Sequence, residues 1–516
     1  MTHQFRAIAL APLVALIFIG RASSQSPTLD LMTADIPQIQ SAVDAGTLTY
    51  ETLTTQYLAR IVALDRQGPR LRAVLSINPR AVETARQLDE ERRTRGRRSP
   101  LHGIPMAVKD NIDTVDMPTT GGSVVFAGSL PRRDAAVIER LRRAGAIIFI
   151  KTNLDEFAAS SMGLSSLGGQ TLNPFDLGRS PGGSSGGTAV AVSVGFATAG
   201  LATETGLSIR GPASNTGIVG IAPSLGLVSR AGVMPISFTQ DRVGVHAKSV
   251  ADAALVLDAI RGFDAEDLLT EESLGATPQA PFAASSAGSL GGVRLGKLTD
   301  MFRTGPDFEP ANAAIANQIV LLGGRGAVVV DQLRTGLDLV GMMPTLRLNS
   351  FELRPAFDAY LQRRQDQRVK TLADLIATGK YLKGGNLELR LQETMKVGVL
   401  DYDDEYRRRR DVRLRLRQTL IELMERERLD ALVYPAKSLG APPLGSTDAA
   451  GGRDNAISSV TGLPAIVVPS AIDRDGLPIG LELLGRPFSE PTLIRIAGEY
   501  ERLRGPRPLP QSVRRQ

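Results

Sequence analysis

The sequence predicts an α/β fold, and three observations carry that prediction. Amphipathic helical stretches alternate with short apolar runs of strand length along most of the 516 residues. Turns rich in glycine separate them, and no internal repeat is evident. An apolar fraction of 42% over this length suffices for a large buried core, in one large or two ordinary domains.

At the N-terminus, residues 1–6 are short and basic, residues 7–20 form a mostly apolar run, and Ala22 and Ser24 are small residues suited to cleavage near Gln25. This pattern predicts a secretory signal peptide over residues 1–24, too short to span a membrane, with export to a periplasm or beyond. Residues 41–64 then show helical periodicity, with Leu48, Leu53, Tyr57, Ile61 and Leu64 on one stripe. A strand over 72–77 and a charged, solvated helix over 80–98 follow. The apolar segment 104–108 reads as a buried strand that delivers Lys109, flanked by Asp110 and Asn111. A lysine at a strand end usually snorkels, but this context points to a held amine. A helix over 134–145 feeds a core strand over 146–150.

Loop-rich connections lead to a glycine- and serine-rich centre, residues 180–213, in which 188–200 reads as a short apolar helix. Beyond Pro212, Gly217, Gly220, Gly226 and Gly232 mark a turn-rich segment. A helix over 249–261 precedes a surface excursion over 274–292, rich in Ala, Ser, Gly and Pro. Strands over 293–298 and 326–330 flank a helix over 310–322, and a long charged helix covers 401–428. Strands at 431–434, 465–468 and 480–484 close the chain, and residues 503–516 read as a loose tail.

Composition narrows the function classes. The net charge of +6 is spread along the chain rather than gathered in one stripe, which argues against nucleic acid as a partner. Trp is absent and aromatics are few, so no stacking platform is indicated. The absence of cysteine excludes disulfides, a thiol nucleophile and zinc–thiolate sites. The three histidines, His3, His102 and His246, exclude a His-rich metal site and leave few candidates for a Ser-His-Asp triad.

The centre admits three readings. A phosphate-binding loop needs a lysine before its threonine, which residues 182–188 lack. Gly182-Gly-Ser184-Ser-Gly186 fits the nucleophile elbow formally, but no strand precedes it and no histidine lies late in the chain. The third reading joins Lys109, Ser184 and Ser208. Without cysteine or a convincing histidine, a serine nucleophile needs another base, and a lysine made neutral by burial serves. A second serine relays the proton when the lysine does not reach the nucleophile.

Here the chain resembles the amidase signature hydrolases. GGSSGG at 182–187, a step of 24 residues to Ser208, SIR-x-PA at 208–213 and GIP-x-AVKDN at 103–111 occur in that family's order. Similarity continues through Thr119-Thr-Gly-Gly-Ser, Lys151-Thr-Asn-Leu-Asp-Glu, Asn173-Pro-Phe-Asp and Leu463-Pro-Ala, and ends with residues 475–488, so it covers about residues 30–502. Thr203-Glu-Thr and residues 226–241 look most like the branch that contains bacterial peptide amidases.

The resemblance implies a single α/β/α domain around a large, mostly parallel mixed sheet, acting without metal or cofactor. It implies Ser208 as nucleophile, Lys109 as ultimate base and Ser184, held by a cis peptide, as proton shuttle. Backbone N–H groups of Thr205, Gly206, Leu207 and Ser208 would form the oxyanion hole. The implied substrate is a small-molecule amide or short peptide amide: a primary amide, an anilide or a peptide C-terminal amide. Nucleic acid is not expected as a partner, nor a membrane span after processing, and the oligomeric state is not read. Ser185, Arg210 and Asp110 read as structural hydrogen-bonding groups, Gln240 and Asp241 as supports of the catalytic loop, and His102 and His246 as carrying no chemistry.

One position departs from the pattern. The family usually has glycine immediately before the nucleophile, where this chain has Leu207, with Gly206 one place earlier. Leucine is ill suited to positive φ, which predicts a reshaped or strained loop, or an apolar side chain pushed into the pocket. A second reading therefore stands beside the hydrolase: an amidase-like binding protein with impaired catalysis.

Overall fold

A computed structural model describes residues 29–365, 368–446 and 455–513. The signal-peptide segment 1–24 lies outside the described residues. In chain order the strands are β1 (Val74–Ile77), β2 (Pro105–Lys109), β3 (Ile147–Thr152), β4 (Leu164–Ser165), β5 (Gly169–Gln170), β6 (Ala199–Glu204), β7 (Val219–Ala222), β8 (Arg242–Ala247), β9 (Arg294–Leu298), β10 (Val328–Leu333), β11 (Ala431–Pro435), β12 (Ala465–Ile472) and β13 (Pro478–Leu484). β4 and β5 pair with each other as a separate ribbon. The others share one sheet, in the order β1-β3-β2-β6-β8-β7-β12-β13-β11-β9-β10. Pairing is parallel along β3–β2–β6 and β11–β9–β10 and antiparallel through the middle, so the sheet is mixed.

Helices cover both faces, as alternation along a central strand shows. Ile466 and Val468 of β12 join the main apolar cluster, which includes the helices Tyr50–Ile61, Val250–Ile260 and Glu490–Arg504. Val467, on the opposite face, packs with Ala189 and Val192 of the helix Gly186–Ser193 and with Ala213 of the helix Arg210–Asn215. Burial on both faces explains why these strands read as unbroken apolar runs. The α/β expectation holds.

Departures have local causes. The stripe over 41–64 is two helices, Ile36–Asp44 and Tyr50–Ile61, because Gly46 turns left-handed (φ 70°) and Thr49 starts a new helix by accepting from Thr52 N–H. The segment read as a helix over 188–200 is helical only over Gly186–Ser193. Gly195, at φ 71°, ends it and lets the chain enter β6. The turn-rich segment after Pro212 contains β7, and β8 lies in a stretch with no element assigned from the sequence. β7 is a short buried run interrupted by glycine and does not alternate. β8 does alternate, Val243, Val245 and Ala247 joining the main apolar cluster and Arg242, Gly244 and His246 facing the other way. The excursion 274–292 is pinned at buried Phe282, whose N–H and that of Ala283 donate to the Asp258 carboxylate. The tail expected to be loose is docked as far as Val513, which is buried, while Arg507 donates to Met32 O and Ser193 O at 2.6 and 2.9 Å. No helix among the described residues is long and apolar enough to cross a membrane.

Candidate active site

Lys109 ends β2, and β2 pairs in parallel with β6, so Thr203 and Glu204 end the neighbouring strand on the same side. Sites at the carboxyl ends of parallel strands are the rule for open α/β sheets. The Lys109 ammonium group is fully buried and donates to Ser184 Oγ at 2.7 Å, Thr203 Oγ1 at 2.8 Å and Thr203 O at 3.2 Å. Burial pulls its pKa down from 10.5 to about 7, against the opposing pull of Asp155, Asp241 and Glu204. Asn111 orients Thr203 by donating to its Oγ1 at 3.0 Å.

Ser184 precedes the helix Gly186–Ser193 and follows a cis Gly183–Ser184 peptide bond. Asp155 braces this turn: its N–H donates to Ser184 O at 3.2 Å, and its carboxylate accepts from Met162 and Gly163 N–H. Ser185 Oγ donates to Thr203 O at 3.0 Å, tying the serine turn to the end of β6. Asp110 pairs with buried Lys151 at 2.9 Å and accepts from Thr120 N–H at 3.0 Å, as its structural reading expected.

Ser208 stands in the turn between β6 and the helix Arg210–Asn215 and is 8% exposed. Its hydroxyl has no hydrogen-bond partner among the described residues, so Lys109 and Ser184 are joined while Ser208 is left unbonded in the turn that follows β6. The turn is held by its carbonyls. Thr205 O accepts from Gln240 Nε2 at 3.0 Å, Gly206 O from Arg210 Nη2 at 2.8 Å, and Leu207 O from Gly211 N at 2.8 Å. In a trans peptide the N–H points opposite the C=O. The N–H groups of Gly206, Leu207 and Ser208 therefore face away from these anchors, and none donates to a described residue. Thr205 Oγ1 donates to Asp241 Oδ1 at 2.5 Å.

Arg210 is fully buried between two acids, Glu204 at 3.0 Å and Glu482 at 2.6 Å, and Glu204 also pairs with Arg242 at 2.7 Å. Glu204 Oε2 further accepts from Ile209 and Arg210 N–H, fixing the start of the helix after Ser208. His246 Nε2 bonds to Ile209 O at 2.8 Å, and burial lowers its pKa to about 4, so it is a neutral support of the same turn. His102 bonds to Leu88 O, remote from these groups.

Leu207 does not adopt positive φ, nor does Gly206, so the expected strain is absent. A Cβ added at Gly211 would lie 3.2 Å from Leu207 Cγ, which shows that the leucine side chain packs over Gly211. Glycine at 211 leaves the room that leucine at 207 fills. Sequence reasoning misses the supporting roles of Thr203, Asn111, Asp155 and Glu482. All four lie inside motifs quoted above, but only the fold brings them to the site.

A family model described as Amidase matches residues 52–494. The chain belongs to the amidase signature family. It is 36% identical over 483 residues to one subunit of the glutamyl-tRNA(Gln) amidotransferase of Chloroflexus aggregans, covering 90% of this chain and 95% of the relative. It is 32% identical over 515 residues to a probable amidase of Arabidopsis thaliana, covering 94% of each. The crystal structure of native peptide amidase from Stenotrophomonas maltophilia matches with a TM-score of 0.82 and 37% identity, covering 93% of this chain and 98% of that one. The protein is thus an amidase-family serine hydrolase that cleaves amide C–N bonds.

Proposed function

We propose that this amidase works through a Ser208–Ser184–Lys109 relay on a primary carboxamide, an anilide or a peptide C-terminal amide. The observation that carries the reading is the 2.7 Å bond from a fully buried Lys109, its pKa near 7, to Ser184 Oγ. Neutral Lys109 takes the Ser184 proton while Ser184 takes that of Ser208, and Ser208 Oγ adds to the amide carbonyl carbon. The developing oxyanion is met by backbone N–H groups of the turn 205–208, those of Gly206, Leu207 and Ser208 being spare and that of Thr205 adjoining them. Collapse of the adduct breaks the C–N bond, the relay returns a proton to the leaving nitrogen, and the Ser208 ester remains. Water then adds to the ester by the same route, releasing the acid and restoring Ser208.

Similarity to a peptide amidase supports the peptide-amide end of this range. The basic and apolar pattern of residues 1–24 supports export, which we propose as the protein's route; cells expressing the full chain should yield a mature form beginning near Gln25. A serine-directed fluorophosphonate tests the chemistry directly. It should label Ser208, and Ser208→Ala should lose both labelling and release of ammonia or amine. Tight amide binding without labelling would favour the binding-protein reading instead. The relative that is part of a glutamyl-tRNA(Gln) amidotransferase favours a second assay, transamidation of glutamyl-tRNA with partner proteins; activity there and none on free amides would replace the reading.

A further inference from the structure

A cleft of about 1120 Å³ lies beside the active-site turn, and its walls include none of Lys109, Ser184 and Ser208. It opens between the loop carrying Arg132 and Arg133, the loop from Arg230 to Asp241, and the helix Asn349–Arg364. Asp241 belongs to both places, since it lines the cleft and accepts from Thr205 Oγ1 at 2.5 Å. A void of about 10 Å³, room for about one water, shares Arg230, Val233 and Asp241 with the cleft and touches Thr203 and Thr205.

The charges on the walls do not cancel. Five arginines and four acids line the cleft. Glu266 is held by Arg133 at 2.5 and 2.6 Å, and Asp267 by Arg230 at 2.7 and 2.8 Å. Asp113 accepts from Tyr360 Oη at 2.9 Å and pairs with Arg364 at 3.4 Å. Asp241 is taken by Thr205 and by the N–H groups of Ile236 and Ser237. Every acid is engaged, whereas Arg132 and Arg363 have no ion pair or hydrogen bond among the described residues. Between them the lining is apolar: Pro131, Pro235, Pro355, Ala356 and Ala359, with Phe238 43% exposed.

We propose that this cleft binds an organic carboxylate with an apolar body, its carboxylate taken by Arg132 and Arg363. Guanidinium groups match a carboxylate fork. At about 1120 Å³ the cleft lies just above the range usual for organic-ligand sites, about 300–1,000 Å³, and far exceeds what an inorganic anion fills. Phe238 and the face of Pro355, Ala356 and Ala359 supply the apolar contact. The acid released by hydrolysis of an apolar amide is of this class; that link rests on the function proposed above, while the binding does not.

Equilibrium dialysis of the full chain against 4-phenylbutyrate tests the site, with 4-phenylbutan-1-ol and inorganic phosphate as controls. The parent should bind the carboxylate at least tenfold more tightly than Arg132→Ala/Arg363→Ala, whose fold is checked by circular dichroism. Phe238→Ser should weaken the same binding. Equal affinity in the arginine variant, equal binding of the alcohol, or binding of phosphate alone would overturn the proposal. Ser208 labelling is read separately. Arginine-dependent binding without labelling would count against the hydrolase mechanism only, and labelling without arginine-dependent binding against the cleft only.

Discussion

Lys109 is a lysine made into a base by its surroundings. Burial removes the water that would stabilise its charge, and the carboxylates of Asp155, Asp241 and Glu204 compensate only in part, leaving a pKa near 7. Activity should therefore rise with pH through about 7 and level above it, as kcat/KM measured across pH 5–9 checks; an acid optimum would exclude Lys109 as the base. Lys109→Met should lower kcat by roughly 10²–10⁴-fold, the worth of a positioned base. The same shift couples to stability. Between about 7 and 10.5 the unfolded chain holds a proton on this amine that the folded chain does not, so this site's contribution to stability rises with pH across that window and is constant below it. Urea unfolding of the parent and Lys109→Met at pH 7 and pH 10 should show a smaller rise in the variant, where only the share of other buried amines such as Lys248, also lowered to about 7 by burial, remains.

At the scale of elements, the turn 205–208 is a product of what brackets it. β6 ends in Glu204, the next helix begins at Arg210, and the two side chains meet in a fully buried ion pair that also reaches Glu482 on β13. Arg210→Ala removes the grip on Gly206 O and leaves two buried acids without that partner. It should cost about 3–5 kcal/mol by urea unfolding, the penalty for breaking a buried pair, and slow fluorophosphonate labelling of Ser208. Leu207 and Gly211 should behave as a couple. Gly211→Val forces its side chain into the space the leucine occupies and should slow labelling by about tenfold, the effect of about 1.4 kcal/mol. Leu207→Ala in the same chain should restore much of that loss; if it does not, the two residues are independent.

At the scale of the molecule, one sheet runs from β1 to β10 and the two ends of the described chain meet on it. Arg507 reaches Met32 O and Ser193 O, and Val513 is buried, so the C-terminal segment closes over the end of the helix behind Ser184. Deleting residues 506–516 should lower the thermal midpoint by roughly a few degrees in calorimetry. Local composition hides this docking. A Pro- and Arg-rich tail looks solvated until an arginine finds backbone carbonyls to satisfy, and those carbonyls belong to segments far away in sequence.

The sequence by itself determined the α/β class, most of the sheet's strands, about half of the helices, and the pairing of Lys109 with a serine-rich centre. Those features are written in local apolar periodicity and in motifs whose residue types the chemistry demands. Only the tertiary structure decided that β6, β7 and β8 are strands: buried β6 and β7 are apolar runs broken by glycine, and β8 alternates over only six residues, Val243, Val245 and Ala247 against Arg242, Gly244 and His246. It alone seated Leu207 over Gly211, because one leucine has many rotamers and only the neighbouring helix removes the alternatives. It alone gathered Thr203, Asn111, Glu204, Arg210 and Glu482 around one turn. Electrostatics follows distance in space, and a lysine near pH 7 exists only where burial and three distant carboxylates are balanced around it.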